Sequence, residues 1–219
     1  MSTIEIEMEP PCASLTYFAL PGLAEPIRWL LAYGEIKYVE NPISYYIWGA
    51  YKETTPVGQL PILKINGKSL HQSMAISRYL ATTLNLVGKT PLENWEIDAA
   101  VDTVTDLRLK IVAWSVEKDP ATKVKLATSL QEFLPEFLTH LDNIAGKNNG
   151  HLALRKMTWA DIVFAATDDF LTGVYEKGFG MKLLNDHLNL MTIVRRVRKF
   201  PTIKKWITSR PKPMYSYLD

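Results

Sequence analysis

Apolar and polar positions divide the chain into two stretches with different periods. SLTYF, Ser14 to Phe18, alternates and predicts a short strand. Between Ala24 and Tyr33, Ile27, Leu30 and Leu31 recur on one face, with Pro26 in the first turn and Gly34 placed to end it, which predicts a helix. KYVEN, residues 37–41, predicts a second strand, whereas SYYIWGAYKETT is aromatic and irregular and predicts at most a short helical turn. PILKI and KSLH flank Asn66-Gly67, the pair best suited to a two-residue type I′ hairpin turn. Ile76, Tyr79, Leu80 and Leu84 then return to helical spacing. The predicted order is β-α-β followed by β-β-α.

Around Val87 to Pro91 the pattern changes: Gly88, Thr90 and Pro91 make a connector, and everything beyond reads helical. Ile97, Val101, Val104 and Ile111 keep a three-four spacing, with Arg108 in the remaining slot of the stripe. Residues Thr122 to Ala145 predict another long helix, kinked or divided at Pro135. Thr158-Trp159-Ala160-Asp161 has the form of a capping box, with Met157 and Ile162 placed for a hydrophobic staple and Ile162, Val163, Ala166 and Phe170 forming an apolar face behind it. A last helix after Pro201 carries Ile203, Trp206 and Ile207. The expected organisation is an extension at 1–13, broken by Pro10-Pro11, an α/β domain at 14–86, a linker at 87–92 and an all-helical domain at 93–219.

Composition narrows the possible functions. A chain of 219 residues can bury a sizeable core as one large domain or two modest ones. Its 25 Lys and Arg against 23 Asp and Glu leave a formal charge of +2, too small a field to argue for nucleic acid. Cys12 is the single cysteine, which excludes an internal disulfide and fits a reducing, cytoplasmic setting. The acidic opening MSTIEIEMEPPCAS lacks a signal-peptide core, and no stretch approaches membrane-spanning length. The histidines at 71, 140, 151 and 187 have no metal-ligand spacing and read as structural. There is no Cys-X-X-Cys, phosphate loop or dinucleotide fingerprint. Arg195, Arg196, Arg198 and Lys199, continued by Lys204 and Lys205, read as a solvated helical face.

Candidate chemistry begins where a strand meets a helix, at His71-Gln72-Ser73. A helix N-terminus presents unpaired N–H groups and the positive end of the dipole. Ser73 as its cap, preceded by Gln72, adds a hydroxyl and an amide, a combination that can hold a carboxylate. Leu60-Pro61 opens the strand leading there, and the extended residue before proline can pair its backbone with an extended ligand. Together they suit a small peptide-like anion lying against a sheet edge. The plainer reading is that Ser73 only caps a helix and Pro61 only ends a loop.

These residues carry a family resemblance. Tyr17 in LTYF, the AEPIR segment, PVGQLPIL, the HQS-x-AI-x-RYL run, VDTVTDLR and the MTWADI box, in that order from about Ser14 to Arg210, resemble cytosolic glutathione transferases. The match is similar to the sigma class, in particular its insect members, and shares features with glutathione-dependent prostaglandin D synthase of the same class. The resemblance implies an α/β thioredoxin-like N-terminal domain with a cis peptide at Pro61 and an all-α C-terminal helical domain. It also implies a homodimer with one glutathione site per subunit. Position by position, Tyr17 would be the catalytic hydroxyl bonded to the glutathione sulfur. Trp48 and Lys52 would contact the glycine end; Gly58, Gln59 and Leu60 would line the peptide; Gln72 and Ser73 would take the γ-glutamyl end; and Asp106 of the neighbouring subunit would approach the amino group. Asp98, Asp102 and Asp106 share a helix face; Asp98 reads as solvated, and Asp102 is left open.

The implied reaction is conjugation of the glutathione thiolate to small hydrophobic electrophiles, including lipid-peroxidation aldehydes, as detoxification. Glutathione is then a co-substrate, and no metal, nucleic acid or membrane is expected. The electrophile pocket would be built from Leu20, Gly22, Leu23, Arg108, Val112, Val163 and Thr167. Arg108 reads as a dimer-interface ion pair or as a group polarising a carbonyl substrate, and the cost of an unsupported charge in that stripe favours the second. Vertebrate sigma enzymes have an arginine where this chain has Leu23, and Thr105 replaces one member of the acidic cluster linked to metal in prostaglandin D synthase. Both departures weaken a prostaglandin-isomerase reading. A glutathione-dependent isomerase or peroxidase, or a non-catalytic carrier like the lens S-crystallins, remain the alternatives.

Overall fold

The computed structural model describes residues 13–211. The expected extension up to residue 12, Cys12 with it, and the tail beyond Pro211 lie outside the described residues; Ala13 already belongs to the first strand. Strand β1 (Ala13–Phe18) runs parallel to β2 (Val39–Ile43) and antiparallel to β3 (Ile62–Ile65), which pairs antiparallel with β4 (Lys68–His71), giving the order β2-β1-β3-β4. Strand β2 lies two residues later than KYVEN predicts and contains Pro42; as an edge strand it tolerates proline because no ladder bond is lost. Asn66 and Gly67 both take positive φ, at 49° and 77°, as a type I′ turn requires.

Helix α1 (Glu25–Tyr33), preceded by a 3-10 turn at Gly22–Ala24, packs on α3 (Ser73–Thr83). The aromatic stretch expected to be irregular forms α2 (Tyr45–Lys52), capped by the Ser44 hydroxyl accepting from the Tyr46 N–H at 3.3 Å. None of its residues is fully buried, only Trp48 and Tyr51 resting partly buried on the core, so the usual period is missing.

The second stretch is helical throughout: α4 (Pro91–Val116), α5 (Pro120–Lys147), α6 (Trp159–Phe179), α7 (Leu188–Arg198) and α8 (Pro201–Ser209). Helix α4 opens inside the expected connector, where the Thr90 hydroxyl accepts from the Glu93 N–H. Pro135 does not divide α5. An interior proline costs about 3 kcal/mol, and burial of Leu130, Leu134, Leu138 and Leu141 on the helix's inner face offsets it. Helix α6 is buried on nearly every side and forms the centre of the domain, packed on α1, α4 and α7. Asp161 in its first turn accepts from the Thr158 N–H at 2.9 Å and the Leu152 N–H at 2.9 Å, and lies 3.2 Å from the His151 ring.

Two surface expectations change. Arg196 bonds the Gly150 carbonyl and His151, and Arg198 pairs with Asp169, so two members of the basic cluster are structural rather than solvated. Asp98 pairs with Arg78 at 3.0 Å, and that guanidinium sits 5.2 Å from the centre of the Trp159 ring, joining α3, α4 and α6.

One buried carboxyl in α6 sets a pH dependence. Asp168 is 8% exposed and accepts from the Thr172 hydroxyl at 3.0 Å. Burial pushes its pKa up to about 6, against the Thr172 bond and the charge of Arg198. An unfolded aspartate ionises near about 3.9, so the native state holds this proton more tightly and stability falls as pH rises from about 4 to about 6. Asp168→Asn is therefore expected to be at least as stable as the parent at neutral pH and to lose that part of the pH dependence. Denaturant titrations across the range check this; a variant weaker than the parent at neutral pH contradicts it.

Candidate active site

Tyr17 stands near the end of β1, 7% exposed. The chain then turns through residues 19–23 and folds back over the phenol, so the Leu23 N–H donates to the Tyr17 hydroxyl at 3.0 Å. Gly22 makes this closure possible. Its φ is +45°, and a Cβ there would lie 2.6 Å from the Tyr17 hydroxyl and 2.7 Å from Leu20 Cδ1. The hydroxyl has used an acceptor position and still has its own proton to donate. Burial raises the Tyr17 pKa, against the Leu23 amide and the charges of Arg108 and Arg28 and with a smaller upward contribution from Tyr45, so the phenol is protonated at neutral pH.

Side chains to which the sequence reading gave no role, Glu25 and Arg28 of the AEPIR segment among them, hold this turn. Arg28, buried on α1, donates to the Leu20 carbonyl at 2.9 Å and the Pro21 carbonyl at 3.2 Å, and pairs with Glu25 and Glu40. Glu25, 1% exposed, also accepts from the Trp29 indole at 2.8 Å, the Trp206 indole at 2.9 Å and Arg210. Arg210 continues to Asp169, so the end of α8 is tied to the start of α1 and to α6. The sequence held one signal: opposite charges three residues apart, Glu25 and Arg28, in an otherwise apolar helix.

The N-terminus of α3 differs from expectation. Gln72, not Ser73, is the capping position; its φ of 71° places it outside the helix, and it makes no side-chain cap bond. Ser73 is the first helical residue. The leading N–H groups of α3 therefore have no side-chain cap, with the Gln72 side chain exposed beside them, which suits an incoming carboxylate. The Leu60–Pro61 peptide is cis, as the resemblance implies.

The remaining residues surround this centre. Trp48 on α2 packs edge-on to Phe18 at 5.5 Å, and Phe18 edge-on to Tyr17 at 5.6 Å. Lys52, exposed at the last turn of α2, lies over Gly58, where a Cβ would approach its Cε to 3.2 Å. Gln59 is exposed and Leu60 buried. On α4, Arg108 and Val112 are one turn apart and partly buried, and Asp106 is exposed. On α6, Val163 and Thr167 are both buried, on the helix that packs against α4. The contacts bring Tyr17, Leu20, Gly22 and Leu23 into one cluster, with Arg108 acting on Tyr17 electrostatically. Among the described residues no group of three or more His, Cys, Asp or Glu is placed to hold a metal ion, and no helix is long and apolar enough to cross a membrane.

Comparison with known proteins agrees with this geometry. Residues 13–82 match the glutathione S-transferase N-terminal domain, and residues 105–210 match the glutathione S-transferase C-terminal domain. The chain is 42% identical to a glutathione S-transferase of Anopheles gambiae over 92% of its own length and 98% of that protein. It is 33% identical to the hematopoietic prostaglandin D synthase of Homo sapiens, over 92% of this chain and 98% of that one. The solved structure of prostaglandin synthase D of Nilaparvata lugens superposes with a TM-score of 0.86 at 37% identity, covering 93% of this chain and all (100%) of that one.

Proposed function

Because the chain belongs to the glutathione S-transferase family and takes glutathione as its co-substrate, we propose that Tyr17 stabilises the bound thiol as its anion, the thiol proton passing to solvent, and that the site conjugates the thiolate to small hydrophobic electrophiles. One observation carries the reading: the Tyr17 hydroxyl accepts from the Leu23 N–H and keeps its proton for an incoming sulfur. A thiol of this kind titrates near about 8.5, and lowering that by about two units takes about 2.7 kcal/mol at about 1.36 per unit. One hydrogen bond to a charged acceptor contributes about 1.5–3 kcal/mol. The phenol alone supplies most of what is needed. The thiolate then attacks an electrophilic carbon, forming a carbon–sulfur bond as the leaving group departs or the acceptor takes up a proton.

In this reading Gln72, Ser73 and the uncapped start of α3 hold the γ-glutamyl carboxylate, and Leu60, with Gly58 and Gln59, meets the cysteinyl unit. Lys52 and Trp48 hold the glycine end. Leu20, Gly22, Leu23, Arg108, Val112, Val163 and Thr167 border the electrophile. The chain works as a sigma-class, cytoplasmic homodimer in detoxification. The exposed apolar side chains Tyr46 on α2 and Leu92 and Trp95 on α4 are surface that a partner subunit would cover, and Asp106, exposed on α4, would approach a partner's site.

A haloaromatic conjugation assay beside glutathione calorimetry tests the proposal: binding with turnover is expected, and binding without turnover indicates a carrier. A second reading, isomerisation of a prostaglandin endoperoxide, is favoured by the relatives with prostaglandin synthase names and weakened by Leu23 and Thr105. Endoperoxide turnover well above haloaromatic turnover would select it.

A further inference from the structure

Arg108 occupies a slot on α4 between residues that are fully buried: Val104 and Ile111 on its own face, Leu107 beside it. It is partly buried, its Nε is sealed from solvent without a hydrogen-bond partner, and no carboxylate among the described residues pairs with it. A cation taken out of water without a counter-charge destabilises the fold. The group that acts on it is the Tyr17 phenol. The other charge near the phenol is Arg28, 5.8 Å from the ring centre, but its charge is already balanced by Glu25 and Glu40. The remaining groups acting on Tyr17 are the Leu23 amide and Tyr45, neither of them an anion at neutral pH. Of the two guanidinium groups that act on the phenol, Arg108 is therefore the one without a carboxylate partner, and it is supplied by α4.

We propose that Arg108 supplies the positive charge that balances the glutathione thiolate held at Tyr17. This rests on the thiolate reading above and adds a residue to it. It gives a physical reason for a half-buried arginine in an apolar stripe: the missing counter-ion arrives with the co-substrate. Polarising a carbonyl substrate is a different assignment, because it requires no effect of Arg108 on the thiol before an electrophile is present.

The test is ultraviolet titration of the bound glutathione thiolate in the full chain, in the parent and in Arg108→Met, Arg108→Gln and Arg108→Lys, with pH–rate profiles and oligomeric state measured on the same samples. Loss of the charge should raise the bound thiol's pKa by about one unit, a tenfold loss of thiolate below that pKa. The pH–rate profile should move with it, Lys should restore much of the shift, and glutathione affinity at acidic pH should be unchanged. An unshifted bound thiol in the Met and Gln variants overturns the proposal, whether those variants then lose only carbonyl-bearing substrates or dissociate into monomers. Failure of the underlying reading looks different: the parent itself would bind no glutathione, or bind it with an unshifted thiol.

Discussion

Tyr17→Phe lowers turnover by about 10- to 150-fold while leaving glutathione affinity within about threefold, the range that follows from losing one hydrogen bond of about 1.5–3 kcal/mol to a charged acceptor. The phenyl ring keeps the edge contact with Phe18 and the packing of a side chain that is 7% exposed, so the fold is retained. The bond lost in the free enzyme is the one from the Leu23 N–H, which leaves that amide without its acceptor. Affinity is preserved because the carboxylates of the tripeptide are held elsewhere, by the start of α3 and by Lys52. Steady-state kinetics with glutathione calorimetry separate the two quantities. Unchanged turnover removes Tyr17 from the mechanism, and lost affinity at full residual turnover moves it into binding.

Glu25→Ala is expected to destabilise the protein by about 3–5 kcal/mol, the cost of removing one member of a buried charge network. The substitution leaves Arg28 short of a partner, frees Arg210 from α1, and strips the acceptor from the indoles of Trp29 and Trp206. Glu25→Gln isolates the charge: it can still accept from the indoles and should lose less. Turnover should fall too, because Arg28 holds the Leu20 and Pro21 carbonyls of the turn that places the Leu23 amide on Tyr17. Urea denaturation read by tryptophan fluorescence measures the stability. A loss below about 1 kcal/mol, the scale of an exposed pair, shows that the network is not structural.

How much of this was legible depended on whether a residue's role was local. Strand alternation in SLTYF, the Asn66-Gly67 turn and the Thr158–Asp161 box are short-range signals, and each element formed where its signal lay. The aromatic YYIWGAYK run gave no helical period because α2 has no fully buried residue, only Trp48 and Tyr51 resting partly buried on the core, and its cap, Ser44, was the available clue. The basic run 195–199 drew attention to its charges and hid Ile193, Val194 and Val197, the core face of α7.

At the site, Tyr17, Lys52, Gln72 and Ser73 were visible as residues, but what completes them was not. The donor to the phenol is a backbone N–H with no side-chain signature. The Glu25–Trp206 bond spans 181 positions, a separation that no periodicity reports. The shift of the α3 cap from Ser73 to Gln72 depends on a positive φ that a glutamine rarely adopts. Arg108 was legible as an anomaly in its stripe; that its charge acts on Tyr17 and that its Nε is buried without a partner became readable only in the structure.

Everything proposed for the site depends on the phenol of Tyr17 holding a glutathione sulfur as its anion. Ultraviolet titration of the thiolate in the parent protein saturated with glutathione tests it most directly. The bound thiol is expected to ionise about two units below the free value of about 8.5. A bound thiol that ionises at the free value contradicts it.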